Sequence, residues 1–361
     1  MSDTAAPAGL AEKILRYRHL LPPLPAELAA RMNEGAADTP GWTPEVSAVP
    51  ETPTWPALGP AAARDRAVGC LLGLAIGDAV GATAEFKPRG SFPALTDLTG
   101  GGQFKLAAGE WTDDTTMALC LGQSLLACET VDLEDFLLRL QAWLEHGENT
   151  MPGKCFDIGV TTRAAIERYA ANGDPAAGSR DAMSAGNGSL VRLAPLAIFS
   201  ARDPDDAGAL AARQSRATHG ALECVDACRL FVVQLVDALA GADKAAVLRQ
   251  RVMALCPAVL CISAGEFKKK TRAQISSSGY VIHTLEAALW AVWQTDNFRD
   301  AVLTAANLGD DADSVAAAAG QLAGALYGAR AIPQEWLAKL VWRDRIEFLA
   351  HDLFAAKAAS D

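Results

Sequence analysis

Two short runs of acidic and hydroxyl residues carry the most chemistry in this chain. The first is Thr112-Asp113-Asp114-Thr115, and the second, roughly 200 residues later, is Asp310-Asp311-Ala312-Asp313-Ser314. Each stands directly before an apolar, helix-like stretch. Taken singly, each has an ordinary explanation. Thr and Asp are good helix N-caps, and carboxylates in a first turn gain roughly 0.3–1 kcal/mol from the helix dipole. Taken together they ask for more, because adjacent carboxylates repel and a helix needs only one cap. Carboxylates and hydroxyls without His or Cys form a hard oxygen set, suited to Mg²⁺, Mn²⁺ or Ca²⁺ rather than zinc. If the two helix starts face each other, Thr112, Asp113, Asp114, Asp311, Asp313 and Ser314 can hold two ions with room left for water or substrate.

Three further segments could contribute. Gly77-Asp78-Ala79-Val80-Gly81 is followed by Glu85, which reads either as a general acid or base after an apolar helix or as an ordinary surface glutamate. Gly186-Asn187-Gly188-Ser189 combines residues that tolerate left-handed backbone. Backbone N–H groups in such a turn make an anion nest, and a pyrophosphate would fit there against the helix beginning at Leu190. A plain loop turn is the alternative. Thr218-His219-Gly220 precedes another helix, where His219 serves as readily as a cap or core residue as a ligand contact.

The elements that must position these residues read as helices. Residues 64–80 are apolar all round, with Gly69, Gly73 and Gly77 spaced by four so that one face admits another backbone closely. Residues 115–128, 133–144, 159–169, 190–200, 222–239, 281–294, 298–306 and 314–327 are further helix candidates, as is 333–356, the last as one helix or two. Alternating strand patterns are nearly absent. A long loop at residues 87–110, containing Gly100-Gly101-Gly102, is expected to cross the surface near the site. The expected architecture is all-α, one domain over residues 61–361 preceded by a Pro-rich arm at residues 1–60. Pro22, Pro23, Pro25, Pro40, Pro44, Pro50, Pro53, Pro56 and Pro60 crowd that arm, which has too few apolar residues for a core. Residues 11–21 and 25–33 could each form a short helix within it.

Composition narrows the class. Half of the residues are hydrophobic and 6% are aromatic, a mix that favours a helical core of small and medium side chains. With 32 Lys plus Arg against 43 Asp plus Glu, the net charge of −11 argues against a nucleic-acid partner. The one compact basic run, Lys268-Lys269-Lys270 with Arg272, reads as a solvated loop. The eight cysteines form no CxxC pair, and Cys224 and Cys228 share a helix face, which suits buried thiols better than a disulfide or metal site. Neither a basic-then-apolar leader nor a run of about 20 apolar residues is evident, so a cytoplasmic setting without membrane contact is expected.

Read in order, these segments resemble the ADP-ribosylglycohydrolase family. The matching stretches are Gly69-Cys70-Leu71-Leu72-Gly73 through Gly77-Asp78-Ala79-Val80-Gly81 to Glu85, then Trp111-Thr112-Asp113-Asp114-Thr115-Thr116-Met117. Phe156-Asp157-Ile158-Gly159, Gly186-Asn187-Gly188-Ser189, Thr218-His219 and Gly279-Tyr280-Val281 follow. Asn307-Leu308-Gly309-Asp310-Asp311-Ala312-Asp313-Ser314 and the run from Gly320 to Gly328 complete the match, which spans about residues 64–350. The resemblance implies a compact orthogonal multi-helix fold and a binuclear centre of two Mg²⁺ or Mn²⁺. It puts Thr112, Asp113, Asp114, Asp311, Asp313 and Ser314 on ligand positions, Ser314 where Thr is more usual. Asp310 stands where Gly is frequent. Asn187, Gly188, Ser189, His219 and Tyr280 fall on segments lining an ADP-ribose pocket, and either Glu85 or Asp113 handles the proton, with Glu85 preferred.

The implied activity is metal-assisted hydrolysis of the N- or O-glycosidic bond of an ADP-ribosylated protein, arginine-linked by preference, through an oxocarbenium-like state. Serine-linked and O-acetyl substrates also occur in the family. A second reading is an immunity protein that neutralises an ADP-ribosylating toxin, both by hydrolysing its product and by inserting the arm, with Leu20-Leu21 and Leu24 as anchors, into that toxin. A tail, or a brace along its own domain, is the simpler use of the arm. A non-catalytic, crystallin-like role fits poorly with two intact acidic clusters, and a binuclear phosphohydrolase has no support from the pocket motifs.

Overall fold

A computed structural model describes residues 58–201 and 204–356. The short helices expected at residues 11–21 and 25–33, and the anchors Leu20, Leu21 and Leu24, lie outside the described residues. Within the described residues there are fifteen α-helices and no strand, only isolated bridges. In chain order they are α1 Pro60–Gly81, α2 Asp113–Cys128, α3 Leu133–His146, α4 Val160–Asn172, α5 Gly188–Val191, α6 Ala194–Ser200, α7 Ala207–Thr218 and α8 Leu222–Ala240. Then come α9 Lys244–Val247, α10 Pro257–Ser263, α11 Val281–Trp293, α12 Phe298–Ala306, α13 Ala312–Tyr327, α14 Gln334–Leu337 and α15 Arg343–Ala356.

The core is organised around α1 and α13, both buried on every side along most of their length. A glycine stripe explains how two such helices meet. A Cβ added at Gly69, Gly73, Gly77 or Gly81 would run into the backbone of Gly324, Gly320, Ala316 or Ala312 respectively. Gly320 and Gly324 return the same contact to Gly73 and Gly69. As the numbers rise on one helix they fall on the other, so the pair is antiparallel. Backbones this close gain dispersion and Cα–H···O contacts, the latter about 0.5–1 kcal/mol each. The consequence for function is positional: the C-terminal end of α1 lies beside the N-terminal start of α13.

Three sequence expectations change. The helix expected at residues 190–200 is two, α5 and α6, with Arg192 and Leu193 between them. Pro195 at the start of α6 lacks the N–H that a continuous helix would need there. The helix α7, rich in Ala, was not anticipated at all. The basic run is a short 3₁₀ turn, Glu266–Lys269, rather than bare solvated loop. Lys268 lies over the Trp293 ring at 4.5 Å, and Lys270 donates to Glu286 at 2.5 Å. All eight cysteines are free, and Cys224 and Cys228 are buried. No helix among the described residues is long and apolar enough to cross a membrane.

Candidate active site

The first acidic cluster is held by a side chain from another helix. Asp78, buried on α1, accepts four hydrogen bonds from the start of α2. Its Oδ1 takes the Thr112 backbone N–H at 2.8 Å and the Thr112 hydroxyl at 2.9 Å. Its Oδ2 takes the Thr115 N–H at 3.0 Å and the Thr115 hydroxyl at 2.6 Å. Asp78 thus supplies the cap that Thr112, at the N-cap position, does not make with its own side chain. The self-capping explanation of this cluster therefore falls. Asp113 and Asp114 lie in the first turn of α2, free to face away from the helix ladder.

The second cluster behaves alike. Asp311 occupies the N-cap position of α13 without making a capping bond. Instead its Oδ2 accepts from the Asn187 side-chain amide at 2.6 Å, and Asn187 also donates to the Thr284 hydroxyl at 2.9 Å. Because α1 and α13 run antiparallel, these residues meet the first cluster: Thr112 Oγ1 lies 3.3 Å from Asp313 Oδ2.

Two groups of carboxylates result. One oxygen from each of Glu85, Asp311 and Asp313 lies within 4.8 Å of the others, and the same holds for Asp113, Asp157 and Asp313. Asp313 belongs to both. Glu85 Oε2, Asp114 Oδ2, Asp157 Oδ2 and Asp313 Oδ1 are buried without a hydrogen-bond partner. None of these carboxylates is in an ion pair with Lys or Arg among the described residues. A buried charge without a partner is costly, so the cluster must either hold protons or hold cations. Burial, then repulsion from Asp311, Asp113 and Asp78, pushes Glu85 up to about 9. Burial, then Glu85, Asp78 and Asp311, likewise pushes Asp157 up to about 9. Asp113, Asp114 and Asp313 are raised well above the usual carboxylate range, chiefly by burial and then by the surrounding carboxylates, first among them Asp157, Asp113 and Glu85 respectively. Asp78 rises only to about 6, because its four donors offset much of the burial. An all-oxygen, mutually repelling, orphaned donor set fits hard divalent cations.

The clusters open into a cavity of about 660 Å³. Of the residues singled out in the sequence, Glu85, Asp113, Asp114, Asn187, Gly188, His219, Asp311, Asp313 and Ser314 line it. Three do not. Thr112 is fully buried behind the carboxylates. Ser189 turns into the core, where its hydroxyl meets Ser215 Oγ at 2.9 Å and Cys228 Sγ at 3.4 Å. Tyr280 lies in an adjoining recess of about 540 Å³, its hydroxyl donating to Glu223 at 2.9 Å.

The expected left-handed nest is absent. Asn187 is right-handed, with φ −92°, and neither Gly186 nor Gly188 has positive φ. The glycines matter for space instead: a Cβ on Gly188 would stand 2.9 Å from the His219 ring. Left-handed backbone occurs elsewhere on the wall, at Phe86 (φ 60°), Asp157 (φ 58°) and Asp310 (φ 57°), all lining the cavity. Strain of this kind, about 1–3 kcal/mol per residue, concentrates at functional sites.

Two residues were given no role by the sequence. Asp157 sits on a loop rather than a helix start, so nothing in its pattern marked it beyond its place in a family-like segment. Asp78 is an isolated acid in the apolar second half of α1, and its flanking Gly77 and Gly81 were the available signal.

The sequence model described as ADP-ribosylglycohydrolase matches residues 59–361. An ADP-ribosylarginine hydrolase Tri1 of Pseudomonas putida (strain GB-1) is 49% identical, over 98% of this chain and 95% of that protein. An ADP-ribosyl-[dinitrogen reductase] glycohydrolase of Rhodospirillum rubrum is 35% identical over 76% of this chain and 90% of its own length. A solved structure titled ADP-ribosylglycohydrolase-related protein complex superposes with TM-score 0.74 and 42% identity, covering 82% of this chain and 99% of that one.

Proposed function

Since the chain belongs to the ADP-ribosylglycohydrolase family, we propose that it releases ADP-ribose from ADP-ribosylated arginine on a target protein. The observation that carries this reading is Asp313, common to two carboxylate groups on the wall of one cavity. The arginine linkage draws its support from the 49% identical relative, an ADP-ribosylarginine hydrolase.

Glu85, Asp113, Asp157, Asp311 and Asp313, with Thr112, Asp114 and Ser314 beside them, would hold two Mg²⁺ or Mn²⁺. Bound there, the cations would orient ribose hydroxyls and a water as Lewis acids. The chain's own contribution begins with burial, which keeps bulk water from the carboxylates. Asp113, Asp157, Asp311 and Asp313 stabilise the positive charge that develops on the sugar as the glycosidic bond stretches. Glu85 is the group we assign to the proton, because its Oε2 is buried at the cavity wall without a protein partner. Asp113 is the alternative. Asn187 fixes Asp311 through the 2.6 Å bond, and the wall of Gly186, Gly188 and His219 receives the rest of the nucleotide.

The test is incubation with Mg²⁺ and separately prepared ADP-ribosyl-arginine and ADP-ribosyl-serine substrates. Release of ADP-ribose from the arginine substrate is expected; release from neither would end the reading.

A second function has its own support. Residues 1–58 precede the region that the family's sequence model matches, yet the alignment with the Pseudomonas relative takes in 98% of this chain. A Pro-rich segment outside the hydrolase region, carried by a relative, suits immunity against an ADP-ribosylating toxin through direct binding, in a cytoplasmic setting.

A further inference from the structure

Arg192 is fully buried, yet no carboxylate pairs with it among the described residues. It sits at the break between α5 and α6, with its guanidinium over the Phe136 ring at 4.7 Å. Its Nε donates to Gln214 Oε1 at 2.9 Å, and Nη2 donates to Gln214 O at 3.1 Å and to Thr218 Oγ1 at 2.9 Å. Burying an arginine this way is expensive, and the catalytic reading above gives it no task.

The bond to Thr218 carries the inference. Thr218 Oγ1 also lies 2.7 Å from His219 Nδ1. A guanidinium can only donate, so the hydroxyl accepts from Arg192 and keeps one hydrogen of its own. The ring nitrogen beside it is the acceptor in reach. With Nδ1 accepting, the neutral ring carries its hydrogen on Nε2. That nitrogen lies beside Gly186 and Gly188 on the cavity wall, and no hydrogen bond to it is found among the described residues.

We propose that Arg192 is a positioning residue: through Thr218 it locks His219 as a neutral Nε2–H donor, aimed at an acceptor oxygen of the bound ADP-ribose. The substrate part rests on the functional reading given above. The ring is thereby a fixed hydrogen-bond donor and not a base. Burial, together with the adjacent Arg192 charge, also pushes the imidazole down to about 3, so the ring stays neutral. Gly188 completes the device, since a Cβ there would stand 2.9 Å from the ring, whereas one on Gly186 would make ordinary contact at 3.4 Å.

The experiment compares the whole protein with Thr218→Val and Thr218→Ser. Nitrogen-15 spectra of the imidazoles, with the His219 signals identified by their loss in His219→Gln, report the tautomer. Calorimetry with ADP-ribose reports the donor's contribution. Wild type and Thr218→Ser should show the Nε2–H tautomer alone. Thr218→Val should show a mixture and bind ADP-ribose about tenfold more weakly, as expected for one misdirected hydrogen bond. Arg192→Met should shift the spectrum as Thr218→Val does; if it fails to fold, the threonine pair still decides. A wild-type Nδ1–H or cationic ring, or a Thr218→Val protein indistinguishable from wild type in both readouts, would overturn the proposal. Failure of wild type to bind ADP-ribose would instead remove the substrate assignment, and the spectrum would still decide the relay.

Discussion

Glu85 carries the sharpest residue-scale expectation. Glu85→Gln keeps the shape and removes the exchangeable proton, so turnover of ADP-ribosyl-arginine should fall by about 10²–10⁴. Thermal stability in chelator should stay the same or rise, because the amide is neutral without the proton that folding makes Glu85 bind. An unchanged turnover number would transfer the proton to Asp113. The same carboxylates set a pH dependence in chelator. Glu85 and Asp157, raised to about 9 in the fold, ionise near about 4 when unfolded. Between those values the folded state binds more protons, so their stabilisation is complete below about pH 4 and is lost as pH rises through about 9. Calorimetric Tm in chelator should therefore fall from about pH 6 to about pH 9, and saturating Mg²⁺ should flatten the slope. A Tm that climbs over that range in chelator would contradict the buried cluster. Asp310 offers a backbone test. Its left-handed φ of 57° is a conformation glycine adopts freely, so Asp310→Ala should cost about 1 kcal/mol relative to Asp310→Gly in chemical denaturation.

Helices decide where those residues can be. The α1–α13 contact has no room for a Cβ at Gly73, so Gly73→Ala should destabilise by about 1–3 kcal/mol or more through overpacking. Gly208, near the start of α7 with open space around it, is the control: Gly208→Ala should stabilise by up to about 1 kcal/mol. Equal effects at the two positions would mean that the glycine stripe is not what brings the acidic starts together. This stripe was legible, since glycines every four residues on an apolar helix have few other uses. So was α12, whose Asn297 caps Asp300 N–H and gives its start away. The break at Arg192–Leu193 was not, because Leu and Val on both sides continue a helical pattern and the interruption depends on Pro195 and on Arg192 turning inward. Asp78 hid for a related reason: the donors it serves lie more than thirty residues away on another helix. Ser189 reads as a pocket residue beside Asn187 and Gly188, yet one residue further round the short helix α5 faces the core.

At the scale of the molecule, a net charge of −11 adds to the repulsion where seven carboxylates, Asp78, Glu85, Asp113, Asp114, Asp157, Asp311 and Asp313, crowd together, and divalent cations are the natural relief. Deleting residues 1–57 should leave hydrolysis of ADP-ribosyl-arginine within about twofold of the full chain, a difference of a few tenths of a kcal/mol. The same deletion should abolish binding to an ADP-ribosylating toxin if the segment serves immunity; loss of both activities together would make it part of the hydrolase instead. The fold and the acidic clusters rest on different signals in the sequence, helical periodicity for one and surplus acids for the other, and they meet only at the antiparallel α1–α13 pair. That meeting point is best tested by anomalous scattering from crystals grown with Mn²⁺ and ADP-ribose. Manganese peaks are expected among Asp113, Asp157, Asp311 and Asp313, with the distal ribose against them; peaks elsewhere, or none with ADP-ribose bound, would contradict a shared cation centre.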